Sequence, residues 1–62
     1  MNLKQLRMSK KLTQKQLAER LGVKRTTICM WETGNSSPSL EILKKIAQVL
    51  NCSIDELVKE ET

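Results

Sequence analysis

Histidine, phenylalanine and tyrosine are absent from these 62 residues, and there is one proline (Pro38), one tryptophan (Trp31) and only two glycines (Gly22 and Gly34). Each shortage closes off a class of protein. Without histidine, the two cysteines, Cys29 and Cys52, cannot complete a plausible zinc site, so no metal or other cofactor is expected. Two cysteines are also too few for a disulfide framework, and a reducing, cytoplasmic setting fits them. So few glycines and prolines leave too few breaks for many short strands and turns, which argues against an all-β domain. Catalytic equipment is missing as well: there is no His, no Gly-rich phosphate loop and no base beside either cysteine, so an enzyme is not expected. No N-terminal apolar run has the form of a signal peptide, and none approaches the roughly 20 residues of a membrane span.

What is present is aliphatic and basic. A core without Phe or Tyr must be built from interdigitating Leu, Ile and Val, which favours packed helices. At this length the chain is expected to be a single domain, residues 1–62, burying only about 60% of the surface its unfolded form exposes. Formal net charge is +4, unevenly placed: residues 1–31 hold eight Lys or Arg against one Glu, whereas residues 32–62 hold three against six acidic side chains. A surface polarised in this way attracts polyanions, because each neutralised phosphate releases condensed counterions. Nucleic acid and an anionic membrane surface both fit the charge, and so do plain solvated helix faces.

The pattern predicts five helices. Leu3 and Leu6, with Arg7, give a first helix from Leu3 to Ser9, which Asn2 is placed to cap. Thr13 and Gln16 form a capping box that opens a second helix at Gln14; its stripe is Leu17, Ala18 and Leu21, and Gly22 ends it. Ile28 and Trp31 define a third helix from Arg25 to Thr33, stopped by Gly34. The few residues between the second and third helices force a steep crossing, as in a helix-turn-helix. Gly34 to Pro38 is a surface loop, after which Ser39 caps a fourth helix with Leu40, Leu43, Ile46, Ala47 and Leu50 on its apolar face and Asn51 as terminator. Ser53 and Glu56 make a second capping box before a short fifth helix carrying Ile54, Leu57 and Val58, and the tail is expected to fray after Glu60.

The run Leu12-Thr13-Gln14-Lys15-Gln16-Leu17-Ala18-Glu19-Arg20-Leu21-Gly22-Val23, followed by Thr27-Ile28, Trp31-Glu32 and Gly34, resembles the phage-repressor/Cro-like helix-turn-helix family and the Xre-type bacterial regulators. The likeness continues through Pro38-Ser39-Leu40, Ile46-Ala47, Leu50 and Ser53 to Leu57. It implies an all-α, compact, five-helix lambda-repressor-like domain whose helix-turn-helix spans about residues 14–33, with the third helix lying in the major groove. Projection at 3.6 residues per turn puts Thr26, Met30 and Thr33 opposite Ile28 and Trp31, with Thr27 and Cys29 on the flanks. The resemblance implies base contacts from Arg25, Thr26 and Met30, joined by Lys24 and Thr27, which alternatively hold phosphate. Arg25 can offer two donors to guanine O6 and N7, so a G is expected in each half-site. Gln14 sits at the family's usual glutamine position and is expected to hold a phosphate, with Asn35 and Ser36 as further backbone contacts. Arg7 and Glu32 match a structural ion pair of the family.

Two positions depart from the family. Lys24 stands where Ser or Thr often caps the third helix, and Lys11 where glycine is often found; a left-handed Lys11 would cost about 1 kcal/mol or more. Since one small module contacts few base pairs, a homodimer is expected, pairing through Ile54, Leu57 and Val58 unless these are ordinary core. Cys29 reads either as a redox sensor beside basic residues or as a small surface residue, and Cys52 as a small core hydrophobe. The function implied is a sequence-specific double-stranded DNA-binding transcriptional regulator, a repressor on a palindromic operator, with no membrane partner and no evident small-molecule effector site. The alternative is an antitoxin or controller-type protein that also binds a partner protein; a pure protein-interaction adaptor would show no salt-dependent DNA affinity.

Overall fold

The computed structural model describes residues 1–59, and the fraying expected after Glu60 lies outside them. Among the described residues there are five helices and no strand: α1 (Leu3–Ser9), α2 (Gln14–Leu21), α3 (Arg25–Thr33), α4 (Leu40–Leu50) and α5 (Ile54–Val58). Four of the five helices begin where the sequence offers a start signal, α3 after the non-capping Lys24 being the exception, and the signals are used unequally. Thr13 Oγ1 accepts from the Gln16 backbone N–H at 3.0 Å while Gln16 Oε1 accepts from the Thr13 N–H at 2.9 Å, closing a full capping box on α2. Ser39 accepts from the Ile42 N–H and so caps α4. At α5 only half of the expected box forms. Ser53 Oγ accepts from the Glu56 N–H at 3.0 Å, but the Glu56 carboxylate lies 3.5 Å from that same hydroxyl rather than on the Ser53 backbone.

Asn2 precedes α1 without capping it through its side chain. Its φ of −100° and ψ of 32° lie outside the extended conformation that aims an N-cap side chain at the next turn. The Asn2 backbone N–H instead donates to the Leu57 carbonyl at 2.8 Å, which ties the start of α1 to α5.

The ends of α1 to α4 share one device. Each is followed by a residue with positive φ: Lys11 at 59°, Gly22 at 73°, Gly34 at 82° and Asn51 at 52°. The next amide then reaches back to an orphan carbonyl, Leu12 to Arg7 O, Val23 to Ala18 O, Asn35 to Met30 O and Cys52 to Ala47 O, at 2.9–3.2 Å. At Gly22 and Gly34 a Cβ would meet open space, so φ alone is what favours glycine there. Lys11 adopts the left-handed conformation against a cost of about 1–2 kcal/mol. The Arg7 guanidinium helps to hold that turn, its Nη1 donating to Leu12 O at 2.7 Å.

The core draws one or two fully buried aliphatic side chains from each helix: Leu3, Leu17, Ile28, Ile46, Leu50 and Leu57. Each contributes about 1.5–3 kcal/mol by leaving water. Helix α2 packs on α3 and α4, α5 packs on α4 and α1, and α1 also reaches α3. Leu40, expected on the apolar face of α4, is instead 61% exposed, because as the first helical residue it stands at the edge of a set whose buried members are Ile46, Ala47 and Leu50, with Ile42 and Leu43 packed against the core in part. Cys52 packs against the core as a half-buried filler; burial pushes its thiol pKa up, Glu56 adds to the shift and Lys10 opposes it, so the group stays neutral.

Candidate nucleic-acid interface

The turn between α2 and α3 consists of Gly22, Val23 and Lys24. Gly22 reverses the chain and Val23 packs against the core, fixing the crossing of the two helices. Helix α3 then presents two unlike faces. Ile28 and Trp31 point inward and are buried, whereas Lys24, Arg25, Thr26 and Thr33 are exposed and Thr27 and Cys29 lie half-buried on the flanks. Met30 stands on the outer face with 41% of its surface exposed, an apolar side chain in part open to solvent. Lys24 has the extended backbone of a cap, φ −78° and ψ 150°, but its side chain makes no capping bond. That leaves α3 without the roughly 1 kcal/mol a Ser or Thr contributes there. Asn35 and Ser36 are exposed in the loop after α3, and their backbone N–H groups both turn back to Met30 O.

The expected Arg7–Glu32 ion pair is present, but its extension through Gln14 to Arg25 escapes the sequence pattern. Arg7, Glu32, Gln14 and Arg25 form a continuous polar chain across three helices. Arg7 Nε lies 2.6 Å from Glu32 Oε2 and Nη2 lies 3.3 Å from Oε1, an ion pair whose side chains are 10% and 4% exposed. Gln14 Nε2 donates to Glu32 Oε1 at 2.9 Å, and Gln14 Oε1 accepts from Arg25 Nη1 at 3.1 Å. The signal the sequence carries for it is positional: Gln14 and Arg25 are the first residues of α2 and α3. A tight turn that crosses two helices steeply brings such first turns within side-chain reach. Helical periodicity compares residues within one helix and says nothing of this meeting.

On α5, Ile54 is half-buried and Val58 is 46% exposed, but Leu57 is fully buried in its own chain. Leu57 therefore leaves the expected pairing surface, since its one apolar face is already spent on the core. Among the described residues no cluster of three or more His, Cys, Asp or Glu could hold a metal ion, and no helix is long and apolar enough to cross a membrane.

Two helices joined by a left-handed glycine turn, the second exposing a polar outer face, define a helix-turn-helix protein. The chain belongs to the helix-turn-helix family of Cro- and phage-repressor-type DNA-binding domains, whose family model matches residues 3–57. It is similar to the HTH-type transcriptional activator BcrR of Enterococcus faecalis, with 51% identity over 59 residues, 95% of this chain and 29% of the relative. It is also similar to the cryptic phage CTXphi transcriptional repressor RstR of Vibrio cholerae, 34% identical over 94% of this chain and 52% of the relative. A third relative, the antitoxin PezA of Streptococcus pneumoniae, is 37% identical over 97% of this chain and 38% of its own length. The chain thus spans between about a third and a half of these relatives. The family is one of transcriptional regulators and not of enzymes.

Proposed function

We propose that residues 1–62 form one DNA-reading domain of a transcriptional regulator, which binds a palindromic operator as a homodimer and represses by occupying it. The observation that carries this reading is the solvent-facing set Arg25, Thr26 and Met30 on α3, beside Gln14 at the start of α2, within the basic half of the chain. A helix can enter a major groove about 12 Å wide only with a slim leading edge, and the N-terminal residues project deepest. Arg25 is the reader of guanine, Thr26 donates to or accepts from a base edge, and Met30 covers a thymine methyl. Lys24 and Thr27 stand beside them, able to reach bases or phosphate. Gln14 keeps one amide hydrogen for a phosphate oxygen, and Asn35 and Ser36 flank the groove on the backbone.

The homodimer surface in this reading runs through Val58 and Ile54. Val58 lines a groove of about 410 Å³ whose wall is part apolar, from Met1, Trp31, Pro38 and Leu43, and part polar, from Glu32, Thr33, Ser36 and Ser37. Repression needs only overlap with the promoter, and similarity to RstR supports it. Similarity to PezA favours a second reading, in which the same chain also binds a partner protein; co-purification of a second protein from the native host distinguishes it.

Selection from random duplexes at fixed salt tests the reading. The expected winners are two-fold related half-sites, each containing a G, with centres about one helical turn, 10–10.5 base pairs, apart. Binding that ignores sequence, or winners without dyad symmetry, would overturn it.

A further inference from the structure

We infer that Glu32 is a positioning residue for base recognition, acting through the Gln14 amide on the Arg25 guanidinium. The inference rests on the base-reading role proposed above for Arg25. Its basis is the direction of the hydrogen bonds. An ionised carboxylate can only accept and a guanidinium can only donate, whereas a glutamine amide does both, at opposite ends. With Arg7 Nε at 2.6 Å from Oε2 and Arg7 Nη2 at 3.3 Å from Oε1, Glu32 is pinned, and its side chain is 4% exposed. Gln14 must therefore present Nε2 to Glu32 Oε1, which it does at 2.9 Å. The amide oxygen is then turned outward, where it accepts from Arg25 Nη1 at 3.1 Å. Every bond in the chain runs toward the one carboxylate, so a single orientation of the amide satisfies both neighbours.

The consequence falls on an exposed side chain. Arg25 has four rotatable bonds and, in solvent, many rotamers; held at one Nη1 hydrogen, it keeps four donors free in a fixed fork. Ordering it before DNA arrives removes entropy that binding would otherwise have to remove. A buried ion pair joining α1 and α3 is thereby connected to the tip of the reading helix. Replacing the carboxylate of Glu32 by an amide keeps the shape but lets either end face Gln14, and the polarity of the chain is lost.

The test is base preference measured by titration at fixed salt on the selected operator and on copies with the Arg25 base pair changed. Glu32→Gln is expected to reduce discrimination at that base pair about tenfold, within the range of one bidentate contact. Affinity for unrelated duplex should stay within about twofold, because phosphate contacts are sequence-independent. In an Arg25→Ala background the same change should reduce discrimination less than about twofold, as expected of residues acting as one unit. Gln14→Leu cuts the chain without touching the Arg7–Glu32 pair, and serves even if Glu32→Gln folds poorly. A lost phosphate contact lowers affinity for all sequences alike, whereas lost positioning lowers discrimination at one base pair. Unchanged discrimination in Gln14→Leu, or equal loss from Glu32→Gln in both backgrounds, overturns the inference while leaving Arg25 as reader. If Arg25→Ala itself leaves discrimination unchanged, the base-reading role and the inference fall together.

Discussion

Arg25→Ala is expected to weaken operator binding by about 1–3 kcal/mol, roughly 5- to 150-fold, and to erase the preference for G at one position of each half-site. The side chain is exposed, and among the described residues its side-chain hydrogen bond is to Gln14 Oε1, so its removal opens no buried cavity. Fold stability should therefore change by no more than about 0.5 kcal/mol, the usual range for a surface substitution. Loss of affinity without loss of fold separates this variant from one that merely unfolds. The magnitude follows from geometry: a guanidinium fork matches guanine O6 and N7 with two parallel donors, and the alanine leaves both acceptors to water. Titration of the operator and of an unrelated duplex at one salt concentration checks it. An equal loss on both duplexes would make Arg25 a phosphate contact; no loss on either would remove it from the interface.

Arg7→Met carries the largest expected effect on stability, about 3–5 kcal/mol. The substitution fills similar space but strips Glu32 of its cationic partner and Leu12 O of its donor, while the carboxylate stays almost wholly buried. At about 0.05–0.15 kcal/mol per residue, a chain of this length has roughly 3–9 kcal/mol of stability in all, so the variant should be marginal or unfolded at room temperature. The same guanidinium supports the left-handed Lys11 turn, so the entry into α2 loosens with it. The double variant Arg7→Met/Glu32→Leu should recover much of the loss, because a buried pair costs most when only one partner is removed. Urea midpoints followed by far-UV circular dichroism decide the matter: a single variant with the parent's midpoint would show the pair to be inert.

Particular residues show how far such a chain can be read before its structure is in hand. Helix limits were legible because Thr13, Ser39 and Ser53 are short polar acceptors ahead of apolar periodicity, and Gly22, Gly34 and Asn51 are residue types that tolerate positive φ. Lys11 ends α1 by the same device, but a lysine carries no such marker, and only its match to a family glycine pointed there. Periodicity puts Leu40 on the apolar face because it assigns positions around a helix without saying which edge positions the neighbouring helices cover. Leu57 reads as a pairing residue in the sequence because an apolar residue on a short helix looks the same whether its partner is its own core or a second chain. The outer face of α3 was legible, since Ile28 and Trp31 fix its rotation and the remaining positions follow. The Arg7–Glu32 pair is legible through the family resemblance; the bonds from Glu32 through Gln14 to Arg25 are not, because they depend on where two helix starts meet.

In the function proposed here, α3 reads the edges of bases in the major groove. Methylation interference on the selected operator tests it most directly, because dimethyl sulfate places its methyl on guanine N7 in the major groove and on adenine N3 in the minor groove. A methyl on N7 removes an acceptor Arg25 needs and fills the space its guanidinium would occupy. Duplexes methylated at the half-site guanine are expected to be excluded from the bound fraction, while adenine methylation is expected to be neutral. Interference confined to adenine, or absent from both, would contradict it.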